Sequence, residues 1–178
     1  MNTEKFWSII DQATTFHDQD EQLQALDGQL DKLPPEEIEA FERLFQQELA
    51  KSRTWDLWGA YAVIHGESDD EGFEYFQRWL ISKGRDVYEF VLTDADELAD
   101  IIPEGMEDPC EFEELSMVAT DVWARKTGED PMDNPASPFA HAARAPAKLS
   151  GTPVKETPAH LSRRYPRLWE RFGEEPLG

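Results

Sequence analysis

Apolar residues recur at spacings of three and four through most of the first 128 positions, and that period restricts the chain to helices. Phe6, Ile9, Ile10 and Ala13 form the first stripe, behind Asn2 or Thr3 as cap. Leu23, Leu26, Leu30 and Leu33 form the second, ended by Pro34 and Pro35. Pro35 suits the first turn of a third helix, where its missing N–H costs nothing, and Ile38, Phe41, Leu44, Phe45 and Leu49 point inward from it. A fourth helix carries Trp55, Trp58, Tyr61, Ala62 and Ile64 and stops at Gly66. A fifth, Ser68 to Lys83, aligns Phe73, Phe76, Trp79 and Leu80 before Gly84. Val87, Phe90 and Val91 predict a short sixth helix, and Leu98, Ile101 and Ile102 a seventh broken by Pro103. Phe112, Leu115, Val118, Ala119 and Val122 predict an eighth over about Glu111 to Thr127. No stretch alternates apolar and polar long enough to make a strand, so the expected fold class is all-α.

Charge and proline divide the chain at about residue 128. Residues 1–128 hold 31 acidic and 10 basic side chains, whereas residues 129–178 hold seven of each, so the formal charge of −21 belongs to the first part. Eight of the twelve prolines lie from Pro131 onward. Residues 129–159 are rich in Pro, Ala, Ser and Thr and cannot bury enough surface to offset ordering, which predicts an extended arm. The expected organisation is an acidic helical domain over 1–128, a Pro/Ala-rich arm over 129–159 and a basic-aromatic segment over 160–178.

Composition narrows the function classes. Six Trp and ten Phe exclude a disordered acidic chain, because disordered chains carry few aromatics. The longest apolar run, Leu57 to Ile64, falls far short of the ~20 residues of a spanning helix. An acidic chain is repelled by phosphate backbones and anionic lipid, so neither nucleic acid nor membrane is the expected partner. One cysteine, and a start (MNTEKFW) without basic and apolar signal regions, fit a protein of the reducing cytoplasm.

Several segments together resemble a known family. FWSIIDQA (Phe6 to Ala13), WDLWGAYAVIHG (Trp55 to Gly66), SDDEGFEYFQRWLISKGRDVYE (Ser68 to Glu89) and LTDADELAD (Leu92 to Asp100) are similar to a bacterial family catalogued as domain-of-unknown-function family 4240. The resemblance covers about residues 4–128. Members often have Gly-Gly-Cys just before the position of Ser68, where this chain has His65-Gly66-Glu67, so no role for a cysteine there carries over. The resemblance implies a compact helical domain and no established activity.

Candidate sites each have a structural alternative. His65, Glu67, Asp69 and Asp70 are weak candidates for a divalent-metal or acid–base cluster, since adjacent carboxylates raise one another's pKa and oxygen-rich sites suit Mg²⁺ or Ca²⁺. Equally, Ser68 with Glu71 three residues later reads as a capping box, with acids favouring the positive end of the helix. Asp94, Asp96 and Asp100 fail the calcium-loop pattern at Leu98, Ala99 and Gly105, and Thr93 or Asp94 is the expected cap. Cys110 lies between Asp108 and Glu111, whose charge disfavours a thiolate. His17, His65, His141 and His160 lack metal-site spacing, and no phosphate-cradling glycine loop occurs. Trp58, Tyr61, Phe73 and Trp79, with Asp69, Asp70 and Arg85, form either a binding groove or, for the aromatics, a core stripe; Arg85 is expected to pair with an acid of the body.

In RRYPRLWERFG, Tyr165, Leu168, Trp169 and Phe172 share one helical face, and Arg163, Arg164, Arg167 and Arg171 take the remaining positions. A basic amphipathic turn on an acidic chain is expected to dock back onto the body, with a neighbouring subunit or partner as the alternative. PEGMEDPCEFEEL (Pro103 to Leu115) holds six acids and no base, and reads either as a solvated face or as a surface for a basic partner. The functional expectation is a non-enzymatic cytoplasmic interaction module, monomeric or homodimeric, without cofactor, of the acidic-inhibitor or immunity type. The alternative is a small-molecule or metal-dependent enzyme near His65 to Asp70.

Overall fold

The computed structural model describes residues 1–15, 18–105, 110–133, 137–140 and 148–177, without the side chain of Met132. These residues form an all-α structure: α1 (Thr3–Ala13), α2 (Gln19–Leu30), α3 (Pro35–Ser52), α4 (Trp55–His65), α5 (Asp70–Ser82), α6 (Arg85–Thr93), α7 (Leu98–Ile101), α8 (Val118–Thr127), α9 (Pro158–Arg164) and α10 (Pro166–Phe172). Two 3-10 turns, Ala95–Glu97 and Glu113–Ser116, lead into α7 and α8. No strand occurs among the described residues, although Thr54 and Ser150 make one isolated parallel bridge.

Side-chain caps set where most of the longer helices begin. Asn2 accepts from the Lys5 amide, Asp18 from Glu21 and Thr54 from Leu57, each satisfying a donor that the first turn leaves open. The fifth helix starts one residue later than the capping-box pattern predicts. Asp69, not Ser68, is its cap, accepting from the Glu71 and Gly72 amides at 3.0 and 2.9 Å. The Ser68 hydroxyl instead donates to Glu156. The eighth element is likewise a 3-10 turn followed by a helix rather than one continuous helix. In α6 the inward aromatic is Tyr88, fully buried, and Phe90 faces out at 47 % exposure. Tyr88 lies 5.0 Å from the Trp7 ring and donates to the Glu48 carbonyl, which ties α6 to α1 and α3.

α4 explains much of the architecture. Every residue from Leu57 to His65 is buried, as expected of a continuous apolar run with no polar face to offer water. α5 covers one flank and α9 and α10 another. Leu161, Tyr165, Leu168 and Phe172 thereby join the same core as Phe6, Phe45 and Phe76. The preceding arm is laid along the body at its described residues. Ser150 donates to the Arg53 carbonyl and accepts from the Trp55 amide, at 3.0 and 2.9 Å, and Phe139 packs on Trp123 with centroids 5.3 Å apart.

Candidate functional site

The aromatic set of α4 and α5 is core. Tyr61, Phe73 and Trp79 are buried and Trp58 nearly so, with Trp58 and Phe73 edge-to-face at 5.0 Å. Trp58 Nε1 reaches Glu156 Oε1 at 2.8 Å, so the arm closes over this indole. These rings leave no open groove between them; their burial fills the space that a ligand would need. Arg85 is half-buried and reaches Glu4 and Glu89 at 2.8 and 2.9 Å. Asp70 pairs with the buried Arg53, and Asp69 is engaged as a cap.

The four metal candidates do not form one cluster, since Asp70 turns to Arg53 and Glu67 is exposed. Among the described residues no group of three or more His, Cys, Asp or Glu side chains is placed to hold a metal ion. The structure instead gathers Tyr61, His65, Asp69 and Glu111. A Cβ built on Gly72 would strike the Tyr61 hydroxyl and lie 3.3 Å from an Asp69 oxygen and 3.4 Å from a Glu111 oxygen, so Gly72 is the space into which these groups fit. His65 Nδ1 stands 3.7 Å from Glu111, too long for a hydrogen bond, and Nε2 has no hydrogen-bond partner. Burial pushes the imidazole down to about 4, against the opposing pull of Asp69, and burial also raises the Tyr61 phenol. Both groups are therefore neutral near pH 7, the imidazole as a free base of lowered basicity and the phenol holding its proton. Cys110 is buried, and His17, His141, Glu107 and Asp108 lie outside the described residues.

The C-terminal segment meets an acid-rimmed face built by α4, the Ala95–Glu97 turn and α7. The Tyr165 hydroxyl donates to the Asp56 carbonyl at 2.9 Å and sits over Gly59, where any Cβ would displace it. Asp96 accepts from the amides of Arg167 and Leu168 at 3.2 and 3.0 Å, capping α10 from the body. Arg164 pairs with Asp56, and Arg167 with Glu97 and Asp100. Arg171 donates to the carbonyls of Ala99, Ile102 and Pro103, at the end of α7 where open acceptors and the negative pole of the helix favour a cation. Leu168 and Phe172 are buried and Trp169 half-buried. The segment is two short helices broken at Tyr165, not a single turn.

Elsewhere several more basic side chains are similarly engaged. Arg78 pairs with Glu74, Arg125 with Asp27 and Asp31, and Lys5 with Glu37. Because acids outnumber bases by 21, this pairing leaves a large acidic remainder at the surface. Part of it surrounds a cleft of about 400 Å³ between α2 and the start of α8, lined by Leu23, Gln24, Asp27, Glu114, Met117, Val118 and Asp121. Met117 is 54 % exposed, and Glu114 and Asp121 make no salt bridge among the described residues. Sequence reasoning passed over this cleft. Its signal was Met117, an apolar residue off the 112/115/118/119/122 stripe with acids on either side. A second pocket of about 540 Å³ lies beside Trp123, with Glu39, Glu129, Asp130 and Asp133 around it.

No helix among the described residues is long and apolar enough to cross a membrane. Comparison with curated proteins finds no match, and comparison with solved structures finds none. A family model does match, over residues 1–125, which take in α1 to α7 and most of α8. With seven-tenths of its length inside that match, the chain belongs to the family described as protein of unknown function DUF4240.

Proposed function

We propose that this protein is a non-enzymatic, cytoplasmic interaction module whose acidic surface binds a basic protein partner, in the manner of an acidic inhibitor. The observation that carries this reading is the acidic remainder. Most of the described basic groups are engaged by the protein's own carboxylates and carbonyls, while Glu114 and Asp121 flank an apolar opening with no salt bridge among the described residues. Such a surface accelerates encounter with a cationic partner and disfavours anionic ones. Burial weakens His65 as a base and Tyr61 as an acid, moving both away from the neutral range in which acid–base catalysis is efficient, which supports the non-enzymatic reading.

The test is a pull-down from native lysate with the tagged full chain, run beside a Met117→Lys, Asp121→Lys variant and washed at low and then high salt. A basic protein retained by the parent chain, released by salt and missing from the variant supports the reading. Retention that salt does not weaken, or no basic protein retained at low salt, contradicts it; equal retention by both chains moves the binding surface away from the α2–α8 cleft.

The convergence of Tyr61, His65, Asp69 and Glu111 favours a second reading, a small-molecule site at that cluster. Thermal stabilisation by a metabolite that is lost in Glu111→Gln would support it.

A further inference from the structure

We infer that the cleft between α2 and α8 is the docking site for a short amphipathic helix presenting one or two large apolar side chains flanked by Arg or Lys. The inference rests on the interaction role proposed above and names its site and the chemistry of its partner.

The cleft has the two components such a ligand needs. Glu114, Met117 and Asp121 follow one another at i, i+3 and i+7 along the Glu113–Ser116 turn and α8, so they share a face, and α2 supplies Leu23 opposite them. Leu23 and Val118 make an apolar floor, and Met117 forms an adaptable wall, its thioether able to follow different ligand shapes. A volume of about 400 Å³ admits one or two large side chains and not a folded surface. Around it, the carboxylates of Glu114 and Asp121 stand exposed and make no salt bridge among the described residues, whereas Asp27 at the far end is held by Arg125, itself one turn beyond Asp121 and committed to Asp27 and Asp31.

The molecule itself shows what occupies a face of this chemistry. On the α4 and α7 side an apolar surface rimmed by Asp56, Asp96 and Glu97 takes a helix whose leucine and aromatics go inward and whose arginines meet the rim. The α2–α8 cleft offers the same pattern, apolar floor and acidic rim, and no described residue covers it. A second copy of the chain is a poor occupant, because each copy carries −21 and like charges across a rim repel. The chain's own basic segment is already seated on the other face. A cationic amphipathic helix from another protein satisfies both the floor and the rim.

The test is a titration of the ¹⁵N-labelled full chain with a helical peptide bearing Leu or Trp at i, i+3, i+4 and i+7 and Arg at the other positions. A counterpart with Glu for Arg serves as control. The inference expects amide shifts concentrated in residues 20–27 and 114–121, produced by the arginine peptide alone and weakened by salt. Binding is expected to fall at least roughly tenfold in the Met117→Lys, Asp121→Lys variant, with its thermal unfolding unchanged. Shifts centred elsewhere, including residues 56, 96 and 165–172, would overturn the assignment to this cleft and leave the acidic-interaction reading standing. Equal binding of the glutamate peptide, or no binding of either peptide at low salt, would overturn both.

Discussion

The covered face beside α4 and the open cleft beside α8 are made of similar materials and meet different ends. Each sets apolar side chains inside a ring of carboxylates. Over the first, Tyr165, Leu168 and Phe172 are buried and the arginines of α9 and α10 meet Asp56, Glu97 and Asp100. Over the second, nothing described covers Met117, and Glu114 and Asp121 make no salt bridge among the described residues. The difference lies in which face the fold itself needs. α4 has no polar side, so leaving it bare would expose a continuous apolar helix, and residues 150–177 complete its enclosure although they lie beyond the family match. α8 is amphipathic and loses little by leaving Met117 in water. Completing the core is therefore a stability role, and the cleft, which the described core does not need closed, is the site proposed above for recognition.

Substitutions can break this contrast from either side. The largest effect is expected at Leu168→Ala, where a fully buried side chain is lost from the junction of α4 and α10. Chemical denaturation should show a loss of about 2–5 kcal/mol. Gly59→Ala places a methyl against the Tyr165 hydroxyl and should cost about 1–3 kcal/mol, with a change in Trp169 fluorescence as α10 shifts. If either variant unfolds like the parent chain, the C-terminal segment is not part of the core.

His65, at the end of α4, adds a pH term. Its folded pKa is about 4 and the unfolded value about 6.5, so the unfolded chain binds the proton more readily between the two. The stability contribution is full above pH 6.5 and is lost as pH falls towards 4, amounting to about 2 kcal/mol by pH 4.5. His65→Phe, which cannot titrate, should lack that portion of the acid sensitivity; parallel pH profiles for the two chains would contradict it.

Asp96→Ala removes the acceptor for two α10 amides and is expected to cost about 1 kcal/mol, read as a lower unfolding midpoint. The smallest effect belongs to the open side. Met117→Lys with Asp121→Lys should change stability by no more than about 0.5 kcal/mol, because both residues are exposed. A large loss there would mean that the cleft, too, is structural.

The helices were legible because their signals are local. Stripes such as Phe6, Ile9, Ile10 and stops such as Gly66 depend on neighbours three or four residues away. Capping was legible to within a residue: Asp69 displaced Ser68 only because the Ser68 hydroxyl turns to Glu156, 88 positions later. The outward Phe90 and inward Tyr88 show the same limit, since Trp7 and Glu48 decide between them. In the C-terminal segment the inward residues could be read from spacing, but not Asp96 and Asp56 as their partners. The α2–α8 cleft was hidden for a related reason. It exists only where two helices some ninety residues apart meet, and an exposed methionine gives no sign of that alone.

The most direct measurement is calorimetric titration of the arginine-bearing amphipathic peptide into the full chain and into Met117→Lys, Asp121→Lys, at low and near-physiological salt. The account predicts saturable binding to the parent chain, weaker at higher salt, and loss of that binding in a variant whose melting temperature is unchanged. Equal affinity for the two chains would contradict it.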